Sequence, residues 1–437
     1  MDTIHVFAEK TSSRQRFIFN HIFSKIMGLE AYFVLDNREF KKIKGFRFNY
    51  SGTETKDIPA IIPQGILYEE DIKRNEPDVH YSKDGLPYLK FMDDRNTGFS
   101  FDIFSSSFYL LSRYEEYNWE KTDKTGRPDE NQSILIRNSL HQKPLIDLWI
   151  KAFKKYLVNF YPKLTFNEPG YNFIPTIDID SAFAYLHRGV ARTLGAYFKS
   201  AFRANFMEIV HRTNALTGRQ GDRFDNFSFL FDIHENYDLY PLFFIQVGKF
   251  GKYDKNISPL KPRFKAIIRD ISNRYIVGLH PSYKSNNSLD RLVKEKHLLE
   301  EITGELASIN RQHYLVLKFP ETYRRLISIG IREDYSMGFS GVMGFRAGTS
   351  HPFHFFDLPE DKETNLIIHP FQVMDATINN TYENPQDAFM EISNIIKMVK
   401  KVGGQFISII HNELYHNDPA GTTWKKWYED LIHEAKA

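Results

Sequence analysis

Apolar positions in the N-terminal third of the chain switch between two periods. A short apolar run at the start reads as a strand, and SSRQRFIFNHIFSKIMGL follows it. Phe17, Ile18, Ile22, Ile26 and Met27 recur there at helical spacing behind a Ser/Thr cap, which predicts a helix. AYFVLD, FRFNYS and AIIPQGILY read as strands, and residues 101–118 (FDIFSSSFYLLSRYEEYN) as a helix. The polar, turn-rich KTDKTGRPDENQ is a loop. HQKPLIDLWIKAFKKYLVNF is an amphipathic helix with Pro144 near its start. YPKLTFNEPGYNF has turn formers and no helical period, so a domain boundary is expected near residues 162–173. The expectation is an α+β N-terminal domain over residues 1–165.

Beyond the boundary, strands alternate with helices. IPTIDID, YPLFFIQVG, YIVGLHP, HYLVLKF, NLIIHPF and QFISIIHN read as strands. FSFLFDIHENYDL, FKAIIRDISN, LDRLVKEKHLLEEITG, PETYRRLISIG and DAFMEISNIIKMVKKVGG read as helices between them. Such alternation predicts an α/β fold with a parallel sheet over residues 170–437, either a barrel or an open sheet. The segment 187–223 interrupts it with a basic stretch whose apolar residues recur at helical spacing. It is expected to be an inserted helical pair packing on the barrel, the alternative being contact with a membrane surface or a lipid-linked glycan.

Composition narrows the chemistry. A chain of 437 residues is long for one core, which agrees with two domains. A formal charge of +2 gives no reason to expect a nucleic-acid partner. With no cysteine, disulfides, thiolate metal sites and Cys nucleophiles are excluded. MDTIHVFAEKTSSRQRF has no apolar signal-peptide core, and no stretch has the length of a transmembrane segment, so the expected location is cytoplasmic. The sequence is silent on oligomeric state.

The strand ends carry the candidate chemistry. Asp178 and Asp180 close IPTIDID, His280 closes YIVGLHP and His411 closes QFISIIHN, while His313 opens HYLVLKF just after Arg311. Polar residues at strand C-terminal ends face the site in parallel α/β folds. Asp178 and Asp180 are two apart and project from the same face of a strand. Two carboxylates and three imidazoles at the rim of one sheet would make a hydrolytic metal site, in which one Asp can hold an ion while the other takes a proton from water. Taken singly, each has a structural explanation, such as a capping pair or a buried His. Their joint placement at successive strand ends favours chemistry.

At these residues the chain resembles a known family. TIDID, PLFFIQVG, VGLHPSYKS, INRQHY and GGQFISIIHN stand in the order of the motifs of the NodB-homology polysaccharide deacetylases, carbohydrate esterase family four. DSAFAYLHRG, GFRAGTSHPFHFFDLPE, PFQVMDATI and the N-terminal LLSRYEEY are similar to a divergent branch found in bacterial surface-polysaccharide gene clusters. The resemblance implies a distorted (β/α) barrel and a divalent metal, commonly zinc (Zn2+). It implies hydrolysis of an N-acetyl or O-acetyl group from a carbohydrate in surface-polysaccharide assembly. Asp178 would be the general base, Asp180 a metal ligand, His280 the first His ligand and His411 the general acid.

Two departures change the expected site. The family's two Asp are adjacent, whereas Ile179 separates them here, leaving open which Asp does which job. The family's second His ligand lies four residues after the first, where this chain has Lys284, and an ammonium cannot ligate a metal. His313 is the candidate replacement, because the Arg-motif strand adjoins the site in the family. Asp180, His280 and His313 then make a two-His, one-carboxylate set. Arg311 would orient the base Asp. Tyr283, Asp334 and Arg346 are expected to contact the sugar, the last two from REDYSMGFSGVMGFRAGTSHPFHFFDLPE, with Asp334 also orienting His411. The alternative for Arg346 is a structural salt bridge within a well-packed loop, and Glu115, Glu116 and Asp147 are expected to be structural. Two rival functions remain: a non-catalytic carbohydrate-binding relative with a degenerate metal site, and an amidase acting on a small non-sugar amide.

Overall fold

The computed structural model describes residues 2–53, 57–74, 76–92 and 98–437. In the N-terminal part, β1 (Thr3–Ala8) lies between β2 (Glu30–Val34) and β3 (Phe46–Tyr50), and β4 (Ala60–Ile61) completes a parallel four-stranded sheet. The helix Ser13–Phe19 starts at Ser12, whose hydroxyl accepts the N–H of Gln15, and it continues as a π-helical segment over Asn20–Ile26. Only Ala60–Ile61 of AIIPQGILY is strand, because Gly65 turns the chain at a φ of 92° into a 3-10 turn. The helix predicted over 101–118 stops at Leu111, and Arg113 takes a left-handed φ of 53° before a second 3-10 turn. β5 (Asp78–Tyr81) and β6 (Pro87–Lys90) form a separate hairpin.

The C-terminal part builds the barrel. β7 (Asn172–Ile179), β8 (Leu242–Ile245), β9 (Val277–Leu279), β10 (Ile309–Asn310) and β11 (Glu333–Asp334) pair in parallel in sequence order. β12 (Phe353–Asp357) runs antiparallel to β13 (Lys362–Ile368), which is parallel to β11. β14 (Val373–Met374) is parallel to β15 (Gln405–His411), and β15 to β7. Residues 369–372 link β13 to β14, and their amides pass from one neighbour to the other. His369 N–H donates to the carbonyl of Asp334, and Gln372 N–H to that of Ile407. One stretch of chain therefore pairs with β11 at its start and with β15 at its end. This closes the parallel strands into a distorted (β/α) barrel.

Strand alternation sorts the side chains. Phe244, Ile309, Tyr335, Phe371, Ile407 and Ile409 form one small buried cluster, the filling of the barrel. Ile177, Ile179, Phe243, Ile245 and Ile410 belong to the larger core beneath the helices. Asp178, between Ile177 and Ile179, thus points into the barrel. Register sets the height of the site: His411 is the direct partner of Asp178 across β15 and β7. A Cβ on Gly278 would lie 2.7 Å from both Ile309 and Phe244, so the filling leaves room for no side chain there.

Three expectations are corrected. HYLVLKF is not a strand: β10 ends at Asn310, and His313–Leu315 is a 3-10 turn with Tyr314 at a φ of 61°. His313 therefore lies beyond a strand's C-terminal end. The helices Val190–Phe202 and Phe206–Leu216 do form from 187–223, but their apolar stripe faces solvent instead of the barrel. Arg346 forms the structural salt bridge instead of facing the cavity. It donates to Glu116 at 3.0 and 2.5 Å, and Arg113 completes the buried network with Glu116 and Glu115. Asp147 likewise accepts from Thr349 and Ser350. SRYEEYN thus grips GFRAGTS, and Phe17 and Phe108 pack on Phe356 across the same contact.

Candidate metal centre and its cavity

Asp180, His280 and His313 offer ligand atoms that all lie within 4.8 Å of one another. Each comes from the C-terminal end of a different strand, after β7, β9 and β10 respectively. His280 Nδ1 is 2.7 Å from the carbonyl oxygen of Arg311, which can only accept, so Nδ1 carries the proton. Its Nε2 then faces Asp180 Oδ1 at 2.9 Å. His313 repeats the arrangement: Nδ1 lies 3.1 Å from Asp254 and Nε2 3.3 Å from the second Asp180 oxygen. Two imidazoles oriented through Nδ1 and converging by Nε2 on one carboxylate form a donor set suited to a divalent cation. Burial lowers the His313 pKa, but Asp180 and Asp254 outweigh it and raise it to about 9. Burial opposes the Asp180 charge, yet His313 and His280 hold its carboxyl well below the usual range. Proton and metal compete for His313 Nε2.

Asp178 stands beside this set. Its Oδ1 accepts from Arg311 at 2.9 Å, and Oδ2 lies 3.9 Å from His280 Nε2. Arg311 is fully buried, donates also to Thr176 and to the Tyr335 carbonyl, and stacks its guanidinium 4.5 Å over Phe244. On the opposite side His411 points Nε2 at Asp180 from 4.0 Å, with Nδ1 held 2.6 Å from Asp375. Burial disfavours charge on His411, but Asp375 overrides it and raises the pKa to about 10, keeping the ring an imidazolium.

A cavity of about 390 Å³ opens over these groups, lined by Asp178, Asp180, His280, His313 and His411. Tyr314, Asn379, Asn380 and Glu413 add to its wall. Burial and the Asp180 charge push the Glu413 carboxyl up to about 7. Lys124, Thr125 and Arg127 of KTDKTGRPDENQ form its lip, so the N-terminal part contributes to the opening.

The sequence placed six residues at this cavity's chemistry, and the structure brings all six together: Asp178, Asp180, His280, Arg311, His313 and His411. The three expected sugar contacts stand elsewhere. Asp334 is fully buried, accepts from Asn310, Ser336 and Tyr323, and does not reach His411. Arg346 is tied to Glu116. Tyr283 donates its hydroxyl to the Thr125 carbonyl, holding the lip without lining the cavity. Lys284 lines a separate recess with Lys249 and Asp290. Three residues at the site, Asp375, Asp254 and Glu413, are not among those the sequence predicts. Asp254 lies in an aperiodic stretch, and Asp375 heads a short helix, where an Asp reads as a cap. Replacing Asp254 by Asn removes the charge that orients His313, and metal affinity is expected to fall about 10–100-fold in a chelator competition.

Fold and site define an α/β barrel with a candidate metal centre. A family model described as a family of unknown function (DUF7033) matches residues 4–162. No curated protein matches the chain. Among solved structures, the chain is similar to a protein of Mycobacterium smegmatis described as a polysaccharide deacetylase, at 14% identity and a TM-score of 0.40, over 61% of this chain and 85% of that one. It is similar to a polysaccharide deacetylase of Bacillus cereus at 11% identity and a TM-score of 0.30, over 61% and 87%. A Bordetella bronchiseptica protein described as a deacetylase involved in O-antigen biosynthesis gives 13% identity and a TM-score of 0.30, over 60% and 83%. At these scores the likenesses add nothing about activity. Among the described residues no helix is long and apolar enough to cross a membrane.

Proposed function

We propose that the chain is a metal-dependent hydrolase that removes an acetyl group, most readily from an amide nitrogen, from a sugar used in surface-polysaccharide assembly. The observation that carries this is the convergence of two Nδ1-oriented imidazoles on Asp180, with a separately held carboxylate and imidazolium on either side. Asp180, His280 and His313 would hold the ion, with zinc the best fit to a two-nitrogen, one-carboxylate set. When bound, such an ion polarises an acyl carbonyl and makes water more acidic. Asp178 takes the proton from the attacking water, and Arg311 fixes the carboxylate that receives it. His411, kept protonated by Asp375, delivers a proton to the departing amine. The TIDID, VGLHPSYKS and GGQFISIIHN resemblance supports an acetylated sugar as substrate, and the polar wall of Tyr314, Asn379 and Asn380 suits its hydroxyls.

A panel of N-acetylated and O-acetylated sugars, scored for released acetate with and without added zinc, tests this. Zinc-dependent acetate from the amide-linked members is the expected result. Release from small non-sugar amides alone would instead make the chain an amidase of another class.

A further inference from the structure

The helices Val190–Phe202 and Phe206–Leu216 turn their amphipathicity inside out. On the first, Val190, Leu194, Phe198 and Phe202 recur every four residues and are 77%, 53%, 76% and 93% exposed. Phe206, Met207 and Val210 continue the apolar surface onto the second helix. Polar groups lie on the inner side. Tyr197 and Thr213 share a hydrogen bond between the helices, Tyr185 donates to Glu208, and buried Arg212 pairs with Glu208 and stacks on Tyr185. A helix in an aqueous globular protein buries its apolar stripe instead.

Charge points to the partner. Residues 187–223 contain seven Lys or Arg and two Asp or Glu, a net of +5, whereas the whole chain, with 57 and 55, nets +2. Lys199 and Arg203, at the hairpin's tip beside Phe198 and Phe202, are exposed and have no ion-pair partner among the described residues. An apolar stripe edged with unpaired cations suits the boundary between headgroups and acyl chains of an anionic bilayer. A second copy suits it less well, because a two-fold contact sets each patch against itself and so gathers the Lys199 and Arg203 charges of both copies in one interface with no acidic partner.

The hairpin is fastened to the rim of the site. Asp222 accepts the N–H groups of Ala184, Tyr185 and Leu186, and Asn412 donates to the carbonyls of Ser181 and Phe224. These anchors adjoin Asp180 and His411. We propose that this hairpin docks the protein on an anionic lipid surface, with the apolar stripe in the interface and the cavity held at the bilayer. The acetylated substrate is then one carried on the membrane, such as a lipid-linked sugar. That last clause rests on the hydrolase function, whereas the docking does not.

Sedimentation of the full chain with phosphatidylcholine vesicles, with and without phosphatidylglycerol, tests the docking. Wild type is expected to pellet with the phosphatidylglycerol vesicles and to be released by salt. Lys199→Glu and Arg203→Glu, each a change of two charges, are each expected to weaken binding about 30-fold. The double variant Phe198→Ser/Phe202→Ser is expected to abolish it with an unchanged thermal midpoint. If that variant fails to fold, the two charge reversals, both at exposed positions, carry the test alone. Wild type that pellets no more with phosphatidylglycerol vesicles than without vesicles overturns the proposal. So does binding that neither set of substitutions reduces, or a dimer in light scattering that the Phe substitutions disperse. Failure of the hydrolase function would appear in the acetate assay and leave vesicle binding untouched.

Discussion

Asp178→Asn is expected to lower turnover about a thousandfold while the metal stays bound. The two side chains have the same shape, and the remaining carbonyl oxygen can still accept from Arg311, which now donates at 2.9 Å. What is lost is the ability to take a proton. Asp178 lies outside the set formed by Asp180, His280 and His313, so metal content is expected to match wild type. The intervening Ile179 left the roles of the two Asp open, and geometry separates them. Asp180 is met by two Nε2 atoms at 2.9 and 3.3 Å, whereas Asp178 is met by a guanidinium. Loss of metal from Asp178→Asn, measured by elemental mass spectrometry, would show that the roles are exchanged.

His411→Ala is expected to reduce turnover about 100- to 10,000-fold, again with metal retained, because the departing amine then has no proton donor. The pH profile identifies the donor more directly. Asp375 raises the His411 pKa to about 10 in the metal-free protein, and a nearby dication would pull it down from there. Activity that depends on the protonated ring therefore falls on a basic limb below pH 10. Asp375→Asn removes the charge that stabilises the imidazolium, so its limb is expected to move to lower pH. A limb that stays in place in Asp375→Asn would remove His411 from the acid role.

The six residues that meet at the cavity were legible because strand ends are. A short apolar run that stops at a polar residue marks both an element and its end, and parallel strands put those ends on one rim. Asp178, Asp180, His280 and His411 follow from that rule alone. His313 follows from the Lys284 departure, but its local structure is a turn in place of a strand, because the continuous apolar run Tyr314–Leu317 has the composition of a buried strand. Asp334 also closes a strand, yet it is enclosed by Asn310, Ser336 and Tyr323, since a two-residue strand carries too little pattern to say what surrounds its end. The orienting residues Asp254 and Asp375 act through contacts between segments far apart in sequence, which no local pattern encodes. The Val190–Phe202 stripe shows the same limit: periodicity gives the apolar face, but not whether protein or solvent lies against it.

The most direct test of the metal centre is metal content by elemental mass spectrometry, on wild type and His313→Ala prepared side by side. About one zinc-like ion per chain is expected in wild type and its loss in the variant, with the fold intact by circular dichroism. Wild type without metal after incubation with zinc, cobalt or nickel, or a variant that keeps a full complement, would contradict it.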